Sequence, residues 1–192
     1  MTVEQAALRR AAHGDTYDFL LGRWWIERTY VERRRQERGT FSGVLDVAAT
    51  RGAGQRTARY VEEGRFALGT YQGQGKRRLE VVEKPTGAVA LVFEDGRPFV
   101  DCDLASGAWR TAHRCGEDRY EISWQVVSHD EVTERWRVTG PQKDYDAWAV
   151  LRRTAPTCDG VQRTGRQVAT ISLAASTSTT ESPAAGSTRS TS

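Results

Sequence analysis

The chain has 192 residues, a length typical of one domain, and its 28 basic and 25 acidic residues leave a net charge of +3. Because the two signs are interspersed, the composition argues against a nucleic-acid-binding protein, which usually carries a basic stripe on one face. No segment reaches the roughly 18 apolar residues of a membrane-spanning helix, and residues 1–12 lack the apolar run of a secretory signal. Three cysteines leave at least one thiol unpaired, which favours a reduced, cytoplasmic protein.

The composition divides the chain into three parts. The apolar spacing in residues 1–14 predicts a helical N-terminal extension. Asp15 or Thr16 would cap a second, short helical turn that ends near Leu21. Residues 15–153 carry the hydrophobic pattern of a folded domain. We expect residues 154–192 to form a disordered tail, because a segment rich in Ser, Thr and Ala cannot bury enough apolar surface to offset the entropy of ordering.

From Gly22 to Arg153 the hydrophobic period is close to two residues, which predicts β-strands. The predicted strands are Arg23–Val31, Phe41–Ala49, Thr57–Glu63, Phe66–Tyr71, Arg78–Glu83, Ala88–Glu94, Arg97–Leu104, Trp109–Cys115, Arg119–Ser128, Glu131–Thr139 and Tyr145–Arg153. Turn residues separate the predicted strands, for example at Gly73-Gln74-Gly75. The basic run Arg33-Arg34-Arg35 falls in one of the predicted loops, and we interpret it as a solvated turn rather than an anion-binding site. Short strands with no intervening helix indicate an all-β, antiparallel sandwich or barrel.

Strand alternation points four polar side chains into the interior. Arg28 shares the face of Trp24 and Ile26, Glu62 shares the face of Tyr60, and Glu134 that of Val132 and Trp136. His113 lies on the inward face of its strand together with Trp109 and Cys115. Buried charges are costly unless they are paired, so we expect at least one Arg–carboxylate pair across the interior. Such pairs also occur as plain scaffolding, so the pattern alone does not separate a site from a structural network.

Gly22-Arg23-Trp24 resembles the opening Gly-x-Trp of calycin (lipocalin-like) barrels, which implies that Trp24 closes one barrel end beneath Arg152 or Arg153. A series of segments between Phe19 and Arg153 is similar to the bacterial family called domain of unknown function 6314. The segments are Phe19–Trp24, Phe41–Gly43, Tyr60–Gly64, Phe93–Phe99, His113–Tyr120 and Trp136–Tyr145. The resemblance implies a calycin-like up-and-down barrel in the cytoplasm. Members often place a His directly after the residue equivalent to Phe99, where this chain has Val100.

The leading functional hypothesis is a cofactor-independent enzyme that acts on a small, largely apolar metabolite of natural-product type, with cyclase, dehydratase or isomerase chemistry. In such a site His113, Glu62 or Glu134 would be general acid or base, and Arg28, Lys143 or Tyr120 would stabilise a developing enolate or oxyanion. The predicted substrate-binding residues are mostly aromatic: Trp109, Trp124, Trp136, Tyr60, Tyr145, Val100 and Arg97.

The alternative hypothesis is a non-catalytic, lipocalin-like binder of a hydrophobic ligand or a haem, with His113 as the axial residue. A purely structural barrel is a third option. His113-x-Cys115 with Cys102 has some resemblance to zinc-ligand spacing, but no Cys-x-x-Cys pair accompanies it, so we expect no metal site. The expected partner is a small molecule, neither nucleic acid nor membrane, and a homodimer is compatible with the sequence.

Overall fold

The fold is described from a computed structural model for residues 15–52 and 54–154 and for the backbone of Ile171–Ser172. The predicted helical extension over residues 1–14 lies outside the described residues. So does the predicted tail, apart from Thr154 and the backbone of that dipeptide.

One short helix precedes a succession of antiparallel strands. The elements are α1 (Thr16–Leu20), β1 (Gly22–Glu32), β2 (Glu37–Ala49), β3 (Thr57–Leu68), β4 (Tyr71–Glu83), β5 (Val89–Phe93), β6 (Pro98–Cys102), β7 (Ala108–Cys115), β8 (Asp118–Ser128), β9 (Glu131–Thr139), β10 (Asp144–Arg153) and β11 (Ile171–Ser172). The sheet order is β6-β5-β4-β3-β2-β1-β10-β9-β8-β7, and β11 pairs with β4 in parallel. The prediction of an all-β, antiparallel up-and-down barrel with a short N-terminal helix is confirmed.

The barrel is nearly closed. Among the described residues no hydrogen-bonded ladder joins β6 to β7, so these two strands form a seam. Side chains bridge the seam instead, since the ring centroid of Phe99 on β6 lies 5.2 Å from that of His113 on β7. The inward-facing side chains of β7 are therefore only half-buried, in contrast to those of β1.

The largest differences from the predicted strands concern β3 and β4. Thr57–Glu63 and Phe66–Tyr71 were predicted as separate strands, but the chain runs straight through Gly64 as β3. A Cβ placed on Gly64 would lie 2.6 Å from the Cα of Gly43 on β2, so the missing side chain permits close contact between strands rather than a turn. The predicted turn at residues 73–75 is also wrong, because these residues lie inside β4 and the chain turns at Gly69-Thr70.

Helix α1 and Trp24 close one end of the barrel. Asp15 caps α1 by accepting a hydrogen bond from the Tyr17 amide at 2.9 Å. The Trp24 indole donates to the Leu20 carbonyl at 3.1 Å, and the Arg153 guanidinium lies 4.0 Å from the Trp24 ring centroid. Of the two arginines that the calycin resemblance offered, Arg153 takes this place, while the side chain of Arg152 is exposed.

The apolar core fills the half of the barrel next to α1. Ile26, Leu45, Val81, Val89 and Val132 are almost fully buried there. The opposite half ends at the hairpins β1–β2, β3–β4, β5–β6, β7–β8 and β9–β10, and is called the hairpin end below. No described helix has the length and apolar character needed to cross a membrane.

Candidate functional site

A buried network of four charged side chains lies across the middle of the barrel. Its members, called the charged network below, are Arg28 on β1, Glu62 on β3, Arg77 on β4 and Glu134 on β9. Glu62 and Arg77 are direct cross-strand neighbours. Arg28 and Glu134 lie in one row with Ala149 between them, and this small side chain leaves room for the guanidinium to reach the carboxylate.

Arg28 binds both carboxylates of the network. Its Nη1 donates to Glu62 Oε1 at 2.6 Å, and its Nη2 donates to Glu134 Oε2 at 2.7 Å. Arg77 Nη2 donates to Glu62 Oε2 at 2.6 Å, and the Trp124 indole donates to Glu134 Oε1 at 3.0 Å. Two guanidinium groups and two carboxylates therefore balance one another, and the predicted Arg–carboxylate pair is confirmed.

The network keeps its members charged despite their burial. Burial by itself disfavours the charged form of Glu62, but the positive charges of Arg28 and Arg77 and their hydrogen bonds outweigh it and lower the Glu62 pKa to about 2. Burial likewise opposes the charge on Arg28, yet Glu134 and Glu62 raise its pKa well above the ordinary value. Glu62 is thus a firmly ionised carboxylate that both arginines hold, which makes it a poor general base.

A cavity of about 70 Å³ lies on the hairpin side of the charged network. Its wall is largely aromatic, with Tyr30, Phe41, Phe66, Phe93, Phe99, Tyr120, Trp136 and Tyr145, and Arg28, Glu62 and Arg77 line it as well. Burial raises the pKa of Tyr30 and of Tyr145, so both phenols are neutral at physiological pH. The cavity therefore combines apolar rings with a few polar groups, as small-molecule sites do.

His113, Cys115 and Tyr120 line the cavity near the seam. Partial burial lowers the His113 pKa below its ordinary value of 6.5, so the imidazole is neutral at pH 7. Tyr120 accepts a hydrogen bond from Lys143 Nζ at 2.8 Å, and the same ammonium pairs with Asp118 at 2.8 Å. Lys143 acts on the cavity through the Tyr120 hydroxyl and is not itself part of the wall.

Several predicted substrate-binding residues lie elsewhere. Tyr60, Val100, Trp109 and Trp124 line a separate cavity of about 10 Å³, which is room for about one water molecule. Arg97 lies outside both cavities, since its side chain is 61% exposed and pairs with Asp95 at 2.7 Å. Strand alternation could not exclude Arg97, because Gly96 and Arg97 belong to the β5–β6 turn, where the period of two does not apply.

Arg77 is the main site residue that the sequence reasoning missed. The predicted strand starts at Arg78 and so excludes Arg77, whereas β4 begins at Tyr71. Carrying the alternation back from the buried Leu79 and Val81 would have placed Arg77 on the inward face.

Two hydrogen-bond donors of the cavity wall have no partner. Arg77 Nε and Trp136 Nε1 are buried and meet no acceptor within the part of the chain that the structure describes. Both residues, together with Phe99, also line the 10 Å³ cavity, so they form the partition between the two spaces. The Arg77 guanidinium lies 5.1 Å from the Trp136 ring centroid. Because buried polar groups nearly always have a partner, these donors point to an acceptor that the protein itself does not supply.

A larger concavity, of about 920 Å³, lies on the outer surface of the barrel. Its lining consists mainly of outward-facing side chains of β1, β2 and β7–β10, among them Glu27, Thr40, Arg110, Gln125 and Arg135. This concavity is open to solvent along its length, whereas ligand sites enclose most of the surface of their ligand. The inner cavity is therefore the better candidate.

The inner cavity does not fit a haem. Sites for drug-sized ligands usually measure about 300–1,000 Å³, several times its volume of about 70 Å³. Nor do three His, Cys, Asp or Glu side chains gather in a metal-binding arrangement anywhere in residues 15–52 and 54–154. His113 and Cys115 both line the aromatic cavity.

The barrel matches a known protein family. The sequence profile of the family of unknown function DUF6314 matches residues 20–153. The chain belongs to this family. This match confirms the resemblance stated from the sequence segments, and it covers the entire barrel. None of the curated proteins matches the chain.

Solved structures share the barrel at low sequence identity. The S-type phycobiliprotein lyase of Guillardia theta has a TM-score of 0.59 at 10% identity, with 82% of this chain and 100% of that chain covered. A DUF3598-family protein of unknown function from Nostoc punctiforme has a TM-score of 0.47 at 14% identity, covering 72% of this chain and 49% of that one. A redesigned β-barrel bound to DFHBI has a TM-score of 0.38 at 12% identity, with coverage of 70% and 99%. At these identities the first similarity establishes the fold of the barrel and nothing more, and the other two carry no weight here.

Proposed function

We propose that this protein binds a small, largely apolar molecule inside the barrel, with the inner end of the molecule against the charged network. The observation that carries the proposal is the pair of unpartnered donors, Arg77 Nε and Trp136 Nε1, in the wall of an aromatic cavity. A barrel that served only as a scaffold would gain nothing from burying these donors without acceptors. The phycobiliprotein lyase shows by analogy that the same barrel occurs in a protein named for an enzymatic role.

The size of the cavity limits the ligand. About 70 Å³ accommodates the inner part of a single substituted ring, and the rest of the molecule would extend toward the hairpin end. Lys76 and Phe66 line that side and are only partly buried. Natural ligands with one flat ring and a short apolar extension fit this shape.

Filling the cavity tests the proposal. Ala147 is buried on β10 and lines the cavity, so Ala147→Leu adds three carbon atoms inside it. Ala112 on β7 is exposed, so Ala112→Leu makes the same change outside the barrel. We expect small benzene derivatives to shift the amide resonances of cavity residues in ¹H–¹⁵N spectra of the wild type and of Ala112→Leu, but not of Ala147→Leu. Equal binding to all three proteins would place the ligand elsewhere.

A second candidate function is proton transfer on the bound molecule, as in a cofactor-independent isomerase, dehydratase or cyclase of a natural-product intermediate. The neutral imidazole of His113 on the cavity wall favours it, because such a group can accept a proton at pH 7. Glu62 is less suited, since Arg28 and Arg77 lower its pKa, and Glu134 is held by Arg28 and Trp124. The proposed base is therefore His113.

Hydrogen exchange at a carbon acid tests this second candidate. Acetophenone in D₂O exchanges its methyl protons when a base removes one and the enolate takes up a deuteron. We expect the protein to accelerate this exchange and His113→Ala to abolish the acceleration, while His129→Ala, which removes an exposed imidazole, leaves it unchanged. Exchange no faster than in buffer would exclude the acid–base role and leave the binding proposal intact. The cytoplasmic location and the homodimer stay predictions.

A further inference from the structure

We infer that the ligand group bound deepest in the barrel is a neutral hydrogen-bond acceptor, such as a ketone or quinone carbonyl, held by Arg77 Nε and Trp136 Nε1. This inference rests on the proposed binding function and adds the chemical class of the ligand. Two features support it: two buried hydrogen-bond donors have no acceptor among the described residues, and the cations and anions of the charged network are equal in number.

The free donors require an acceptor. Arg77 already uses Nη2 on Glu62 and, at 3.1 Å, on the Tyr60 hydroxyl, whereas Nε is buried and has no partner among the described residues. The Trp136 indole N–H is a donor only and cannot be satisfied by another donor. A carbonyl oxygen has two lone pairs, so one oxygen can accept from both groups.

The charge balance makes that acceptor neutral. The charged network contains two cations and two anions, and every carboxylate in it already contacts a guanidinium. The two lysines nearest the cavity are paired as well, Lys76 with Glu63 and Lys143 with Asp118. A carboxylate ligand would bring a negative charge into the interior, where the cations of the network and both of these lysines already have a carboxylate partner among the described residues, and such a charge is costly to bury.

The surrounding rings favour a flat, conjugated ligand. Phe99 stacks on Trp136 with a centroid distance of 6.0 Å and an interplanar angle of 25°, and Phe93 lies 5.2 Å from Phe99. Aromatic side chains bind planar rings through stacked and edge contacts. A carbonyl conjugated to an aromatic ring therefore satisfies both the donors and the walls.

Three probes of the same shape test the inference on the unmodified protein. Acetophenone carries the carbonyl, α-methylstyrene has a CH₂ group in place of the oxygen, and benzoate carries a carboxylate. We expect acetophenone to bind on the order of tenfold more tightly than α-methylstyrene, since two hydrogen bonds to a buried oxygen contribute about that factor after the loss of hydration. We expect benzoate to bind roughly tenfold or more weakly than acetophenone. Dissociation constants come from ¹H–¹⁵N titrations.

Two conservative variants remove the donors one at a time. Trp136→Phe keeps an aromatic ring without the N–H, and Arg77→Lys keeps the positive charge beside Glu62 without Nε. Each should lower the preference for acetophenone over α-methylstyrene about threefold. Their controls are Trp148→Phe and Arg78→Lys, which make the same changes at exposed positions and should leave the preference as in the wild type.

The outcomes separate this inference from the proposed function. Equal or tighter binding of α-methylstyrene means that water satisfies the donors, which overturns the inference while the barrel remains a binding protein. Tightest binding of benzoate overturns the neutral class and assigns an anionic ligand. Binding of none of the three probes, up to millimolar concentration, overturns the proposed binding function itself.

Discussion

Replacing Arg28 by methionine should destabilise the barrel strongly, because Arg28 is the member of the charged network that contacts both carboxylates. Without it Glu62 keeps its bond to Arg77 Nη2 at 2.6 Å, but Glu134 keeps only the Trp124 indole at 3.0 Å. The interior then holds one cation and two anions. Removing one partner of a buried ion pair usually costs about 3–5 kcal/mol, most of it from the charge left unpaired. We expect a loss in this range in the free energy of unfolding.

A second substitution tests whether the Glu134 carboxylate is the charge that the loss of Arg28 leaves unpaired. Glu134→Gln in the Arg28→Met background removes the unpaired carboxylate and still offers an oxygen to Trp124. The double variant should therefore be about 2 kcal/mol more stable than Arg28→Met alone. Arg23→Met, at an exposed position of the same strand, is the matched control and should stay within about 0.5 kcal/mol of the wild type.

Urea unfolding followed by tryptophan fluorescence measures all four proteins, and equal m-values would show that the comparison is sound. Two results would refute the reasoning. One is an Arg28→Met variant that loses no more stability than Arg23→Met. The other is a double variant no more stable than Arg28→Met, which would mean that the carboxylate of Glu134 is not what makes the loss of Arg28 costly.

Three further predictions concern acid stability, the closed end and the thiols. The pKa of Glu62 is about 2 in the folded protein and 4.5 in the unfolded chain. The ionised carboxylate therefore adds about 3 kcal/mol to the free energy of unfolding above pH 4.5, and this contribution is lost as the pH falls toward 2. Glu62→Gln should make the free energy of unfolding depend less on pH in this range. Arg153→Met should lower the free energy of unfolding by about 2 kcal/mol, because the Arg153 guanidinium binds two carbonyls at the α1 end and covers the Trp24 indole. Arg153→Lys should not restore the loss, since an ammonium cannot make the same contacts. Unchanged amide hydrogen exchange in α1 in the Arg153→Met variant would contradict this. In a Cys158→Ser background, Ellman's reagent should modify Cys115 far faster than Cys102, because Cys102 is buried and Cys115 is only partly buried. A ligand in the cavity should protect Cys115, which lines it. Two equally reactive thiols would contradict the placement of Cys115 in the cavity wall.

Strand alternation by itself located most of the polar interior. A side-chain period of two fixes the face of every residue in a strand once one buried neighbour is known, so Arg28, Glu62 and Glu134 could be assigned inward without any knowledge of which strands pair. The Gly22-x-Trp24 opening likewise predicted the closed end of the barrel. These features are local, and local sequence determines them.

Contacts between distant strands decided the rest. Glycines usually mark turns, yet Gly64 sits against Gly43, and a Cβ on Gly75 would lie 3.1 Å from the Phe41 ring, so these glycines serve packing between strands. Interpreting Gly73-Gln74-Gly75 as a turn hid Arg77, which lies in β4. The sequence determined which side chains point into the barrel; only the tertiary structure showed which of them meet and which donors stay free, because that depends on pairing partners far apart in the chain.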